Sequence, residues 1–204
     1  MLHDALRELL PDSKLRDFDD ELFVGTHDGV SGVQWHVSLD RENMTRRFGV
    51  NLEGLSYKGR RPILQFIERE VGAPGLLGLL PTVEAAGEIV MHFTRDAWKG
   101  VRTRVAIREW HIIAPRALKD LTPGMWERAL IEARSCLDEP GTGRGVASVT
   151  PLETGVRENL ETCPHVNFGV TLASRGSISE RLRELRQAKT HLEPIHEFVS
   201  KTIT

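Results

Sequence analysis

The sequence predicts an α+β domain: an antiparallel sheet of about five to six strands with amphipathic helices packed on one face. Three observations carry this. Several segments alternate apolar and polar residues with the period of two that a half-buried strand needs. Two segments open with helix-start chemistry and continue with apolar residues at helical spacing. The strands come in adjacent pairs followed by a helical segment, the order of antiparallel hairpins covered on one side rather than of parallel crossovers.

The chain begins with "HDALRELL", a short helix expected to end at Pro11, then an acidic stretch in which residues 12 to 28 hold six Asp or Glu and two Lys or Arg. "THDGVSG" carries Asp-Gly and Ser-Gly pairs and reads as a loop. In "VQWHVSLD", Trp35, Val37 and Leu39 oppose Gln34, His36, Ser38 and Asp40; in "RRFGVNLEG", Phe48, Val50 and Leu52 share a face. The two segments form a hairpin across "RENMT". "RRPILQFIEREV" places proline in a first helical turn and Ile63, Ile67 and Val71 on one stripe. "GAPGLLGLLPTVEAAG" is broken by glycine and proline and is expected to be an apolar loop with one helical turn.

"EIVMHFTR" is a strand with Ile89, Met91 and Phe93 inward, and "DAWKG" turns it into "GVRTRVAIREWHIIA". There the aliphatics Val101, Val105 and Ile107 alternate with Arg102, Arg104 and Arg108. "LTPGMWERALIEARSCL" has Thr122 as N-cap, Pro123 at the first position, and Trp126, Leu130, Ala133 and Leu137 on one stripe. "DEPGTGRG" is a loop and "VASVTPL" a short edge strand; "HVNFGVTLA" is a further strand, with Val166, Phe168, Val170 and Leu172 on one side. In the closing helix, Ser177 and Glu180 form a capping box, and Leu185, Leu192 and Val199 recur every seven residues. Pro194 is expected to kink or split it. The shared Phe-Gly-Val of 48–50 and 168–170, and the Trp-His of 35–36 and 110–111, raise an internal duplication as a minor alternative.

Residues 1–204 are therefore expected to form a single domain, with a short N-terminal helix and acidic segment at 1–28 and a helical segment at 177–200. Forty per cent hydrophobic and 27% charged residues are the composition of an ordinary folded chain. The formal charge of −2 argues against a protein basic over its whole surface, but leaves room for local patches. Two cysteines, Cys136 and Cys163, are too few for a disulfide scaffold. No secretory leader and no apolar run of spanning length is read, so a cytoplasmic protein with no membrane association is expected.

The strand positions opposite the apolar ones form a polar face: Gln34, His36, Arg47, Gly49, Asn51, His92, His165, Asn167, Gly169 and Thr171, extended by Arg102, Arg104, Arg108 and Trp110. Residues 41 to 61 hold six Lys or Arg against two acids, and residues 95 to 116 again six against two. Arginine presents a planar fork of donors that matches phosphate or carboxylate. The expected function is a non-enzymatic binding domain that engages nucleic acid or another anionic partner. The candidate binding residues are Arg47, Arg60, Arg61, Arg102, Arg104, Arg108 and Trp110. No cofactor and no metal is called for.

The enzyme alternative is a metal-dependent hydrolase or nuclease using Asp40, Glu53, His36, His92 and His165. It lacks a His-Glu-x-x-His motif, and no lysine follows Glu53 two residues on. A third reading is a protein-interaction module that uses the acidic stretch or the last helix. The glycines at 141, 143 and 145 lack the Lys-Ser/Thr ending of a phosphate loop, and no Gly-x-Ser-x-Gly elbow is present.

Overall fold

The computed structural model describes residues 8–10, 14–18, 21–25, 32–40, 45–52, 55, 61–84, 88–99, 105–138, 160–172 and 177–203. Seven strands form one antiparallel sheet: β1 (Lys14–Phe18), β2 (Glu21–Gly25), β3 (Gln34–Asp40), β4 (Thr45–Asn51), β5 (Val90–Lys99), β6 (Val105–Ala117) and β7 (Leu160–Leu172). Their order is β1-β2-β3-β4-β7-β5-β6. The helices are α1 (Arg61–Gly72), α2 (Gly75–Gly78), α3 (Leu80–Glu84), α4 (Pro123–Asp138) and α5 (Ile178–Thr202). The α+β class and the antiparallel sheet stand as expected. The acidic stretch is not mere connection: it supplies β1 and β2, whose alternating Leu22 and Val24 come opposite Val37 and Trp35 of β3.

The helices cover the face carrying Trp35, Val37, Phe48, Val50, Met91, Phe93, Val166 and Phe168, all buried. Together with Ile63, Ile67, Trp126, Leu130, Leu185, Leu192 and Val199 they belong to one hydrophobic cluster. Burying a side chain of this size stabilises by about 1.5–3 kcal/mol, and the cluster is what holds the helices on the sheet.

Helix α4 starts as its sequence dictates. The Met125 amide donates to the Thr122 hydroxyl at 3.3 Å, and Pro123 occupies the first turn, where a missing N–H costs nothing. At α5 the capping box is complete: the Glu180 amide donates to the Ser177 hydroxyl at 3.3 Å, and the Ser177 amide donates back to the Glu180 carboxylate at 2.6 Å.

Three local expectations are corrected. Helix α5 runs unbroken from Ile178 to Thr202 with Pro194 inside it; burial of Leu185, Ala188, Leu192, Ile195 and Val199 outweighs the roughly 3 kcal/mol an interior proline costs. In α1 the inward stripe is Ile63, Phe66, Ile67 and Glu70, while Val71 is 43% exposed. At 100° per residue Glu70 falls nearer the stripe than Val71 does, and hydrogen bonds make its burial tolerable. The stretch read as a loop holds two short helices, α2 and α3, which bury Leu76 and Val83.

Strand β5 continues through "DAWK", residues read as a turn, and its pairing ends at Lys99 opposite Val105. The stretch "VASVTPL" lies outside the described residues. Duplication is not supported by the topology. The strand with the first Trp-His, β3, borders β4, whereas β6, with the second, is separated from β7 by β5. The two Phe-Gly-Val triplets instead pair with each other: Phe48 opposite Val170, Gly49 opposite Gly169, Val50 opposite Phe168.

Candidate binding face of the sheet

The face away from the helices is organised in rows set by strand register. Gln34, Asn51, Asn167 and His92 stand opposite one another in turn across β3, β4, β7 and β5. The next row is His36, Gly49, Gly169 and Val90. The one after brings Ser38, Arg47 and Thr171 together. These are the positions the alternation assigned to the polar face. The middle of that face is not a solvated surface, however: Gln34 is 1%, Asn51 3% and His36 8% exposed.

The glycine row lets backbone and side chain approach closely. A Cβ on Gly49 would stand 2.5 Å from the Phe168 carbonyl oxygen. A Cβ on Gly169 would stand 2.6 and 2.7 Å from Cγ and Cδ of Arg47. The stem of Arg47 therefore lies across Gly169, and its guanidinium reaches toward β5, where Nη1 is 3.5 Å from Nδ1 of His92. On the other side of the ring, the Asn167 amide lies 2.9 Å from Nε2.

Arginine can only donate, so toward Arg47 the Nδ1 of His92 is the accepting atom. On the far side of the ring Nδ2 of Asn167 faces Nε2, and the Asn167 Oδ1 is buried without a partner among the described residues. His92 is thus held between an arginine and an amide. What this arrangement can do chemically is present a fixed cationic fork beside amide and imidazole groups, a set suited to binding an anion.

Of the seven expected binding residues, Arg47 is the one whose side chain is described, and it lies on the polar face. Arg60, Arg102 and Arg104 lie outside the described residues. Arg61 opens α1, and Arg108 and Trp110 lie in β6; only their backbone is described. The β5–β6 ladder carries register shifts between Met91 and Phe93 and between Phe93 and Thr94. After them, Arg108 comes opposite Ala97 and Trp110 opposite Arg95.

Of the histidines proposed as metal ligands, His36 stands apart from the others. His36 on β3 and His92 on β5 are three strand spacings apart, about 14 Å. His165 comes opposite Thr94. Asp40 pairs with Thr45 at the far end of the β3–β4 hairpin from Asn51, and Glu53 lies outside the described residues. Among the described residues no group of three or more His, Cys, Asp or Glu is placed to hold a metal ion.

Two polar features escaped sequence reasoning. Glu70 of α1, 1% exposed, accepts from the indole N–H of Trp126 at 2.8 Å, from the Gly75 amide at 3.1 Å and from the Leu76 amide at 3.3 Å. Burial raises its pKa above the usual carboxylate value, and these hydrogen bonds hold part of that rise back. His196 of α5 lies flat on Trp35. Each occupies an inward helical position, i+7 from Ile63 and i+4 from Leu192, and that spacing is the signal that would have found them. Among the described residues no helix is long and apolar enough to cross a membrane. Comparison with family models, with curated proteins and with solved structures finds no match to this chain.

Proposed function

We propose that this chain is a non-enzymatic binding domain that engages an anionic partner, nucleic acid in the first instance, through the polar sheet face around Arg47. The observation that carries the reading is the seat of Arg47: its stem on the bare backbone of Gly169, its guanidinium 3.5 Å from the imidazole of His92. An imidazole carries no negative charge to neutralise the guanidinium, whereas a phosphate would accept from the fork directly and more strongly. In this reading Arg60, Arg61, Arg102, Arg104 and Arg108 extend the basic track and Trp110 offers a stacking surface. The protein works in the cytoplasm, where Cys136 and Cys163 remain thiols. The three strand spacings between His36 and His92 speak against a site built from both of them.

The test is fluorescence anisotropy against labelled single- and double-stranded oligonucleotides at about 50 and about 200 mM salt. Binding that weakens with salt is expected. Arg47→Ala should lower the affinity and reduce the log–log salt slope by about one, the signature of one lost phosphate contact. The triple Arg102, Arg104, Arg108→Ala variant should lower both further. No binding at the lower salt would overturn the nucleic-acid reading.

A further inference from the structure

The helix side of the sheet holds a titratable group that the polar face does not use. The imidazole of His196 stacks on the indole of Trp35 in β3, with centroids 4.7 Å apart and planes within 5° of parallel. The indole also stacks on Phe48 of β4 at 5.3 Å. The imidazole donates to the backbone carbonyl of Val33. Its Nε2 is buried and has no hydrogen-bond partner among the described residues, so Nδ1 is the donor and the ring is neutral. Trp35 and Val33 are buried in the cluster that also takes Leu192, Ile195 and Val199 from the same helix. This stack is where the C-terminal half of α5 meets β3.

We infer that His196 is a pH-sensitive latch that holds the C-terminal half of α5 on the sheet while its ring is neutral and loosens it when Nε2 takes up a proton. The new N–H would point into a covered position with no acceptor among the described residues, and the ring must shift to hydrate it. The surrounding charges do not remove this penalty. Lys189, about two turns earlier on α5, holds its ammonium 5.9 Å from the centroid of the same indole and pairs with Glu193 at 2.7 Å.

Burial lowers the pKa of His196 most and the Lys189 charge lowers it further; the Val33 bond and the carboxylates of Glu193 and Glu197 partly oppose them. Beyond α5, the groups shown against the ring are the Val33 carbonyl and the indole of Trp35, which also stacks on Phe48. Glu8, from the N-terminal segment, is paired with Arg186. Because the folded value lies below the ordinary 6.5, the unfolded chain binds the proton more readily. The stabilisation is complete above that value and is lost as pH falls from it through the folded value.

The test uses the full chain and two readouts. In wild type, the His196 ring signal, assigned by its loss in His196→Gln, should titrate below 6.5 in NMR spectra. Urea midpoints should fall between about pH 7.5 and about pH 5 by more in wild type than in His196→Phe, which keeps the stack without the titration. Over the same range, amide exchange in residues 190–202, corrected for its intrinsic pH dependence, should rise in wild type and stay flat in His196→Phe. A ring that titrates at or above 6.5 would overturn the inference even if both variants failed to fold. So would a His196→Phe variant with the wild-type pH dependence.

Discussion

Gly49 and Gly169 face each other across β4 and β7, yet an added methyl would meet different things at the two positions. At Gly49 it meets the Phe168 carbonyl, which is backbone in the centre of the sheet and cannot swing aside. At Gly169 it meets methylenes of Arg47, which can. Gly49→Ala should therefore cost about 1–3 kcal/mol by overpacking, while Gly169→Ala costs less and instead displaces the guanidinium from His92. Urea unfolding of the two variants checks the ranking, and the His92 ring signal should move in Gly169→Ala; equal losses of stability would contradict it. Much of this neighbourhood was legible in the sequence. Gln34, His36, Arg47, Asn51, His92 and Asn167 all occupy the face that their strand alternation assigned, because a period of two survives wherever a ladder is regular. Their in-register rows were not legible, since register depends on which strands become neighbours. Nor was the burial of Gln34, His36 and Asn51, which alternation alone cannot distinguish from exposure.

At the scale of elements, the helices are joined through one buried carboxylate. Glu70 in α1 accepts from the first amides of α2 and from the α4 indole, while Gly75 packs so closely on Phe198 of α5 that a Cβ would stand 2.6 Å from its ring. Glu70→Leu preserves the volume and strands three N–H groups, of which the two buried ones, of Leu76 and Trp126, are each worth about 1–3 kcal/mol when left without an acceptor. A loss of at least about 2 kcal/mol in urea unfolding is expected, with Glu70→Gln intermediate because one oxygen remains. Since burial raises its pKa, the folded state holds this proton more tightly than the unfolded chain. Its contribution to stability is therefore lost as pH rises from 4.5 through the folded value, the opposite slope to that of His196. Helix α5 offers a second test. Pro194 has no N–H for the Thr190 carbonyl, so Pro194→Ala should raise the thermal midpoint by restoring that bond; an unchanged or lower midpoint would show that the ring's packing outweighs it. Helix starts were readable because caps are local chemistry, as at Thr122 and Ser177. Val71 and Pro194 misled because tertiary burial, which no local signal contains, chose Glu70 over one and overrode the other.

The whole molecule depends on a strand that arrives late. In the described sheet β1 to β4 form one hairpin-linked group and β5 with β6 another, and the two meet through β7, which pairs with β4 on one side and β5 on the other. Sequence order could not show this, because an antiparallel strand that inserts between earlier ones carries the same alternation as one added at an edge. Its composition is the available hint: residues 166 to 172 bury Val166, Phe168 and Leu172 on one face while Asn167 and Gly169 meet Asn51 and Gly49 on the other, as a central strand requires. The consequence is a sheet closed by contacts of long sequence separation, whose loop-closure cost must be met before either half gains a neighbour. A chain ending at residue 158 keeps, of the described elements, six strands and four helices, but loses the pairing that joins the groups and the α5 side chains that cover β4. It should show no cooperative urea transition and poor dispersion of amide signals. Supplying residues 159–204 as a separate peptide should restore both if β7 is the joining element. A cooperative transition in the shortened chain alone would mean that β4 and β5 hold together without β7.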